Sequence, residues 1–146
     1  MIVDANLLIY AVDESSPFHD PAKTWIEDAL NGPQRIGLPW QSTTGFLRIA
    51  TNPRAVSAPL NPAEAWQYVE DWLAAPHAWI PEPGPGFREI LGGLICELHL
   101  TANLLPDAAL AALCIEHGVA MASADSDFAR FPQIRWINPV QPGAPH

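Results

Sequence analysis

The chain has 146 residues, of which 49% are hydrophobic, and a formal net charge of −9. This length and composition predict one domain with its own core, and they exclude an intrinsically disordered or low-complexity protein. The acidity argues against a domain that wraps nucleic acid through a basic surface. Acids can still hold a divalent cation for a phosphate substrate, keep the chain soluble or attract a basic partner, and composition does not choose among these roles.

The apolar segments and the cysteines of the chain indicate the compartment in which the protein is expected. No apolar run reaches the roughly 20 residues of a membrane span, and the first residues lack the pattern of a signal peptide. Two cysteines, Cys96 and Cys114, lie in apolar, helix-like segments and are expected to be free core thiols in a reducing compartment. We therefore expect a cytoplasmic protein with no membrane partner.

Short apolar runs alternate with helix-like segments along the chain, which is typical of β-α units and a parallel sheet. A first strand, IVD, precedes a helix in DPAKTWIEDAL, for which Asp20 is the expected N-cap. RIGLP is the second strand, and WQSTTGFLRIA is the helix that follows it. The next helix, NPAEAWQYVEDWLAAP, has Asn61 as its N-cap and Glu64 at the position that completes a capping box.

The second half of the chain continues the alternation. AWIP is the third strand, and apolar residues at helical spacing predict a helix from Phe87 to Leu98. LPDAALAALCIEHG is a further helix, VAMASA and IRWI are the last strands, and DSDFARF between them is a short helix or turn. We predict an α/β fold with a central parallel sheet of four to five strands, in a single domain over residues 1–140 with a tail over 141–146.

Most of the sixteen acids lie where solvated charges are expected, and three, Asp4, Asp107 and Asp125, do not fit that pattern. Asp4 and Asp125 directly follow the first and fourth strands, so both are expected at the carboxyl edge of the sheet, where open α/β folds bind ligands. Asp107 lies in the first turn of its helix, on the face that carries Leu110 and Ala111. The structural alternative is that Asp4 and Asp125 are N-caps and that Asp107 interacts with the helix dipole.

Convergence of the three acids at one edge favours a functional interpretation. Neighbouring carboxylates repel one another strongly unless a cation joins them. Oxygen ligands without histidine or thiolate favour Mg²⁺, with Mn²⁺ as the alternative, and Asp127 is a candidate additional ligand. Asn6 and Ser123 can contribute neutral oxygens. Such a site suits hydrolysis of a phosphodiester by a metal-activated water.

Four segments, in this order and spacing, carry a family resemblance: VDANLLIYA, LPW…GFLRIATNPR, NLLPDAALAAL and ASADSDFARFP. Over nearly its whole length the chain resembles a PIN-domain ribonuclease, specifically a VapC-type toxin of a toxin–antitoxin pair. The resemblance implies an α/β/α sandwich, Mg²⁺-dependent cleavage of RNA, a homodimer and a cognate VapB-type antitoxin that blocks the site. Asp4, Asp107 and Asp125 match the family's first, third and fourth acids and are therefore the expected catalytic residues.

The chain departs from the family pattern at the second acid. Gly45 stands where family members commonly have a glutamate. This departure leaves open whether one or two metal ions bind, and whether Asp127 or a water replaces the missing ligand. With fewer carboxylates, a single tightly held Mg²⁺ is favoured.

Contacts to RNA are expected from Arg48 and Arg54, which flank the segment IATN, and from Asn6 and Ser123 at the site. The alternative makes Arg48 a surface charge and Arg54 a helix-end cap. Trp40 can stack on a base, although a place in the core or in a dimer interface is the favoured interpretation of a tryptophan beside a strand.

The resulting prediction is a Mg²⁺-dependent RNA endonuclease that acts as the toxin of a toxin–antitoxin pair. The alternative is a catalytically weak or inactive PIN-like module that binds its antitoxin or RNA. A phosphotransfer receiver or phosphatase-type protein is disfavoured, because it needs a lysine late in the chain and the only lysine is Lys23.

Overall fold

The computed structural model describes residues 1–141, so the predicted tail over 141–146 lies, apart from its first residue, outside the described residues. The described part contains five two-residue strands: β1 Ile2–Val3, β2 Ile36–Gly37, β3 Ala78–Trp79, β4 Met121–Ala122 and β5 Trp136–Ile137. Its helices are α1 Ala5–Val12, α2 His19–Asn31, α3 Trp40–Ala50, α4 Pro62–Leu73, α5 Phe87–Leu98 and α6 Leu104–His117, and a 3-10 helix spans Ser126–Arg130.

The strands form one parallel sheet in the order β3-β2-β1-β4-β5. Strand β1 is central, and its Val3 is in register with Ala122 of β4. All five carboxyl ends therefore lie along one edge, and the residues after β1 and β4 are neighbours there. The predicted α/β class and the predicted parallel sheet of four to five strands are confirmed.

The core has two layers because successive side chains of a strand point to opposite faces of the sheet. Val3 packs with residues of α1 to α4, such as Leu7 and Phe46, whereas Ile2 packs with residues of α5 and α6, such as Leu94 and Leu110. Helices thus cover both faces, which is the α/β/α sandwich that the family resemblance implied.

Helix α1 was not predicted from the sequence. Its eight residues, ANLLIYAV, are almost uniformly apolar, and Leu7 and Leu8 are completely buried. A helix with so little polar surface lacks the periodicity by which amphipathic helices are found. Its start is marked by Asp4, whose side chain accepts a hydrogen bond from the amide of Ala5.

Helix caps agree with the sequence in α4 and differ in α2. The capping box is confirmed, since Asn61 Oδ1 accepts from the amide of Glu64 at 2.9 Å and Glu64 Oε1 accepts from the amide of Asn61 at 3.1 Å. The prediction that Asp20 caps α2 is wrong, because the helix begins at His19 and Phe18 is its N-cap. Asp20 lies in the first turn, where its charge still favours the helix dipole.

The two cysteines are both free, but only Cys114 is buried. The expectation that Cys96 is a core thiol is wrong. Cys96 lies two residues, or about 200° around the helix, from the buried Leu94, and so it faces away from the core. Within residues 1–141, no helix combines the length and the apolar character that crossing a membrane requires.

Candidate metal centre

The carboxyl edge of the sheet carries the acids that the sequence singled out. Asp4 follows β1, and Asp125 lies three residues after the end of β4. Asp107 is half-buried in the first turn of α6, ahead of the buried Leu110 and Ala111. The strand order therefore explains why residues more than a hundred positions apart in the sequence approach one another.

Three carboxylates form a close cluster. Asp107, Asp125 and Asp127 each place one oxygen within 4.8 Å of the others. Asp125 is the N-cap of the 3-10 helix, and its Oδ1 accepts from the amide of Asp127 at 2.9 Å. This turn brings the second acid of the DSD sequence to the same side as the first, so that both face Asp107.

Asp4 lies beside this cluster and is not a member of it. Its Oδ1 accepts from the amide of Ala5 at 2.8 Å, and its Oδ2 accepts from Ser123 Oγ at 2.6 Å and from Asn6 Nδ2 at 3.3 Å. Of the roughly four acceptor sites of an ionised carboxylate, three are used in this way. The structural alternative, in which Asp4 and Asp125 are N-caps, thus holds at the same time as their convergence at one edge.

Ser123 connects the two strand ends. It is fully buried, and its hydroxyl donates to Asp4 while accepting from the amide of Asp125 at 3.0 Å and from Asn6 Nδ2 at 3.2 Å. Asn6 Oδ1 in turn accepts from the amide of Ala124 at 3.2 Å. Ser123 and Asn6, which the sequence offered as contacts for RNA or metal, are therefore used to hold the acids in place.

The crowding of the carboxylates changes their protonation. The pKa of Asp107 is raised to about 7, first by burial and then by the charges of Asp125, Asp4 and Asp127, in that order of importance. Burial also raises the pKa of Asp4, an effect that the hydrogen bonds from Ser123 and Ala5 partly offset. A carboxyl group whose pKa lies near neutral indicates that positive charge at the site does not balance the neighbouring acids.

The chemistry of the donor set fits a hard divalent cation. The cluster offers carboxylate oxygens only, without the histidine or thiolate ligands typical of a zinc site. A cation among them would remove the mutual repulsion that raises the pKa of Asp107. Ligand chemistry of this kind is that of Mg²⁺ or Mn²⁺.

Gly45 occupies a tight contact between helices. A Cβ placed on Gly45 would lie 3.1 Å from the Cβ of Ala5, the first residue of α1. A glutamate there would need the two helices to move apart by a few tenths of an ångström. The absence of the family's second acid is thus accompanied by a close approach of α3 to α1 beside Asp4.

The predicted RNA-binding arginines form no ion pair with the acids within residues 1–141. Arg48 is in the last turn of α3, and Arg54 follows the end of that helix. Val56 and Ala58, just beyond Arg54, line a cleft with residues at the end of α1. This cleft lies at the end of α1, whereas the acidic edge lies at its start, about 12 Å away along the helix.

Trp40, at the start of α3, is 42% exposed. The favoured interpretation placed it in the core or in a dimer interface, and its exposure shows that it is not a core residue. Its neighbour Gln41 donates from Nε2 to the carbonyl of Pro106 at 2.9 Å. This bond ties the start of α3 to the start of α6, immediately before Asp107.

One residue at the site was missed by sequence reasoning. Arg130, at the end of the 3-10 helix, places its Nε 3.7 Å from Asp127 Oδ1. The spacing of three residues between an acid and an arginine was a readable signal for such a pair. Spacing alone does not indicate that Arg130 belongs to the site, because that depends on the folded cluster around Asp127.

Comparison with known proteins agrees with this architecture. The family model of the PIN domain matches residues 1–134. Ribonuclease VapC33 of Mycobacterium tuberculosis is 42% identical over 141 residues, which are 97% of this chain and 99% of VapC33. Ribonuclease VapC37 of the same species is 42% identical over 138 residues, which are 94% of this chain and 96% of VapC37.

Solved structures support the fold independently of sequence. A chain of VapBC2 from Rickettsia felis, bound to a DNA fragment from its promoter, superposes with a TM-score of 0.68 at 15% identity, covering 92% of this chain and 95% of that one. A chain of VapBC-1 from nontypeable Haemophilus influenzae superposes with a TM-score of 0.68 at 13% identity, covering 96% of this chain and 98% of that one. Together with the two ribonucleases, the matched family model shows that this chain belongs to the PIN domain family.

Proposed function

We propose that this protein is a Mg²⁺-dependent endoribonuclease and acts as the toxin of a toxin–antitoxin pair. The observation that carries the proposal is the cluster of Asp107, Asp125 and Asp127 at the carboxyl edge of the sheet, in a chain 42% identical to two proteins named as VapC ribonucleases. A carboxylate cluster at this edge is where an open α/β fold binds its ligand.

Each acid has a defined part in the proposed site. Asp107, Asp125 and Asp127 would hold the cation through one oxygen each, and the remaining acceptor site of Asp4 would be available to the cation or its water. When bound, the cation supplies a reactive water and balances negative charge on the phosphate. Ser123 and Asn6 fix the orientation of Asp4, and the cap at Asp125 fixes Asp127, so that little reorganisation is needed when RNA binds.

The proposed partners are a VapB-type antitoxin and a second copy of the chain. The neighbours of known structure are named as VapBC or toxin–antitoxin complexes. The net charge of −9 and the uncompensated cluster favour a basic antitoxin segment, and we expect an arginine or lysine of the partner among the aspartates. Trp40, Trp66 and Tyr68 are each about two-fifths exposed and offer aromatic area for protein contacts.

The cytoplasm is the compartment that we propose for this activity. It is where RNA is accessible to a bacterial toxin, and both cysteines are free thiols, as a reducing compartment requires.

A second candidate function, a PIN-like module that binds without cleaving, is favoured by one observation. Gly45 stands where the family pattern has an acid, and a side chain there would press on Ala5, with its Cβ 3.1 Å from the Cβ of Ala5. In this alternative the remaining acids would bind an antitoxin cation only.

Total cellular RNA incubated with the purified protein distinguishes the two functions. With Mg²⁺ or Mn²⁺ at millimolar concentration, we expect discrete cuts that leave 5′-phosphate and 3′-hydroxyl ends, and no cuts when the ions are chelated. Uncut RNA with either ion, together with retained binding of the antitoxin, would support the binding module and contradict the nuclease.

A further inference from the structure

Arg130 is the basic residue that the fold brings to the acid cluster. Its guanidinium Nε lies 3.7 Å from Asp127 Oδ1, and of the ion pairs found within residues 1–141 this one alone involves a cluster acid. The backbone at Arg130 is held by the 3-10 helix, which the completely buried Phe128 fixes to the core. The position of Arg130 beside the cluster is therefore a fixed feature of the fold.

The pair itself is weak. The side chains of Arg130 and Asp127 are 59% and 44% exposed, and their separation is longer than a good charge-assisted hydrogen bond. Exposed pairs of this kind contribute about 1 kcal/mol or less. Arg130 is consequently placed at the site without being committed to Asp127, and its attraction to Asp127 falls further when that carboxylate shares its charge with a cation.

A strand of RNA needs positive charge near this cluster. Each nucleotide brings one negative charge toward Asp4, Asp107, Asp125 and Asp127, which would repel it. Within residues 1–141, neither Arg48 nor Arg54 forms an ion pair with these acids. A guanidinium matches a phosphate through two parallel N–H donors, and phosphate contacts of this kind position a nucleic acid without reading its sequence.

We propose that Arg130 binds a phosphate of the RNA strand next to the scissile phosphodiester, and so positions the strand over the acid cluster. The inference rests on the proposed function, because it assumes that the cluster cleaves RNA. It adds a substrate contact to a site whose other described side chains are acidic or neutral. Arg130 exchanges one oxyanion partner, Asp127, for another, the phosphate.

The test is the steady-state cleavage of a labelled single-stranded RNA that spans one mapped cut, by the wild type, R130Q and R130K. We expect R130Q to raise KM by about tenfold with a smaller change in kcat, because the contact is present in both ground and transition states. The slope of log kcat/KM against log salt should become shallower by roughly 0.7, the value of one phosphate contact to a single strand. R130K keeps the charge and should retain most of this slope.

The matched control is R135Q. Arg135 is also exposed and immediately precedes β5, so it lies at the amino edge of the sheet, opposite the acids. The same charge is lost, and we expect KM and the salt slope to stay within about twofold of the wild type. Binding of Mn²⁺ alone, followed by calorimetry, should be retained in R130Q.

The outcomes separate the inference from the proposed function. If the wild type cleaves RNA and R130Q has the KM and salt slope of R135Q, Arg130 is a surface charge and only this inference fails. If R130Q changes Mn²⁺ affinity and leaves KM unchanged, Arg130 is a counter-ion of Asp127 and the inference is again overturned. If the wild type cleaves no RNA with any divalent ion, the proposed function fails and the inference falls with it.

Discussion

Ser123 Oγ donates a 2.6 Å hydrogen bond to Asp4 Oδ2 and so joins the ends of the neighbouring strands β1 and β4. The same hydroxyl accepts from the amide of Asp125. One buried side chain thereby sets the relative position of two acids that lie far apart in the sequence. The geometry of the site depends on this hydroxyl as well as on the carboxylates.

We expect S123A to lower both stability and activity. The substitution removes a bond that lowers the pKa of Asp4, and it leaves the buried amide of Asp125 without its acceptor. Loss of such a group costs about 1–3 kcal/mol in the free energy of unfolding, and misplacement of Asp4 should reduce kcat by about tenfold or more. Denaturant unfolding and single-turnover cleavage measure the two effects.

S42A is the matched control for S123A. Ser42 is 1% exposed, and its hydroxyl has no hydrogen-bond partner within residues 1–141. Removing an unpaired buried hydroxyl should leave stability unchanged or raise it. A loss of stability in S42A as large as in S123A would mean that cavity formation, and not the hydrogen bonds, explains the S123A result.

The raised pKa of Asp107 predicts a stability that falls as the pH rises. Its pKa is about 7 in the folded protein and 3.8 in an unperturbed chain, so the folded state binds the proton more tightly. The group therefore destabilises the fold progressively from about pH 4 to pH 7, and the effect is complete above that range. In metal-free protein, we expect Tm to decrease from pH 5 to pH 8.

D107N tests this assignment, because asparagine does not ionise. The Tm of D107N should match that of the wild type near pH 4 and exceed it above pH 7. Added Mg²⁺ should reduce this difference in Tm, because it stabilises only the wild type. Parallel Tm curves for the two proteins over the whole range would show that Asp107 is not the titrating group.

Gly45 gives a prediction about the missing acid. We expect G45E to destabilise the protein by about 1–3 kcal/mol, because its Cβ would be pressed against Ala5 between α3 and α1. The double variant A5G/G45E removes the opposing methyl group and should recover part of the loss. Thermal unfolding of the three proteins checks this, and full stability in G45E alone would show that the helices separate freely.

The ligand assignment predicts that acids of the cluster contribute more to metal affinity than Asp4 does. D127N removes one of the three carboxylates whose oxygens lie within 4.8 Å of one another. Asp4, in contrast, already uses three of its acceptor sites for hydrogen bonds. We expect D127N to weaken Mn²⁺ binding at least tenfold and D4N to weaken it less, while D4N still abolishes RNA cleavage with the fold intact. A calorimetric affinity for D4N below that of D127N would reverse the assignment.

The sequence predicted the alternation of strands and helices and the parallel sheet because its strands and amphipathic helices follow simple periodicities, whereas the α/β/α layering came from the family resemblance. The helix after β2 was predicted over the residues that it occupies, and Asn61 was identified as a cap from local chemistry alone. Helix α1 was missed because its burial on nearly every side removes the polar face that makes a helix visible in a sequence.

Convergence of the acids was also predictable, since residues after parallel strands share one edge. The separate roles of the individual acids were not predictable from the sequence. Which carboxylate is free to bind a cation depends on hydrogen bonds such as that from Ser123 to Asp4, between residues 119 positions apart. Arg130 was overlooked for a related reason, because its relevance depends on the cluster that forms around Asp127.

The central claim is that the cluster binds a divalent cation that cleavage of RNA requires. The most direct measurement compares wild type and D107N, by calorimetric titration with Mn²⁺ and by cleavage of the same labelled RNA in Mg²⁺. We predict saturable binding and Mg²⁺-dependent cuts for the wild type, and a loss of at least a hundredfold in both for a folded D107N. Undiminished metal binding and cleavage in D107N would contradict the account.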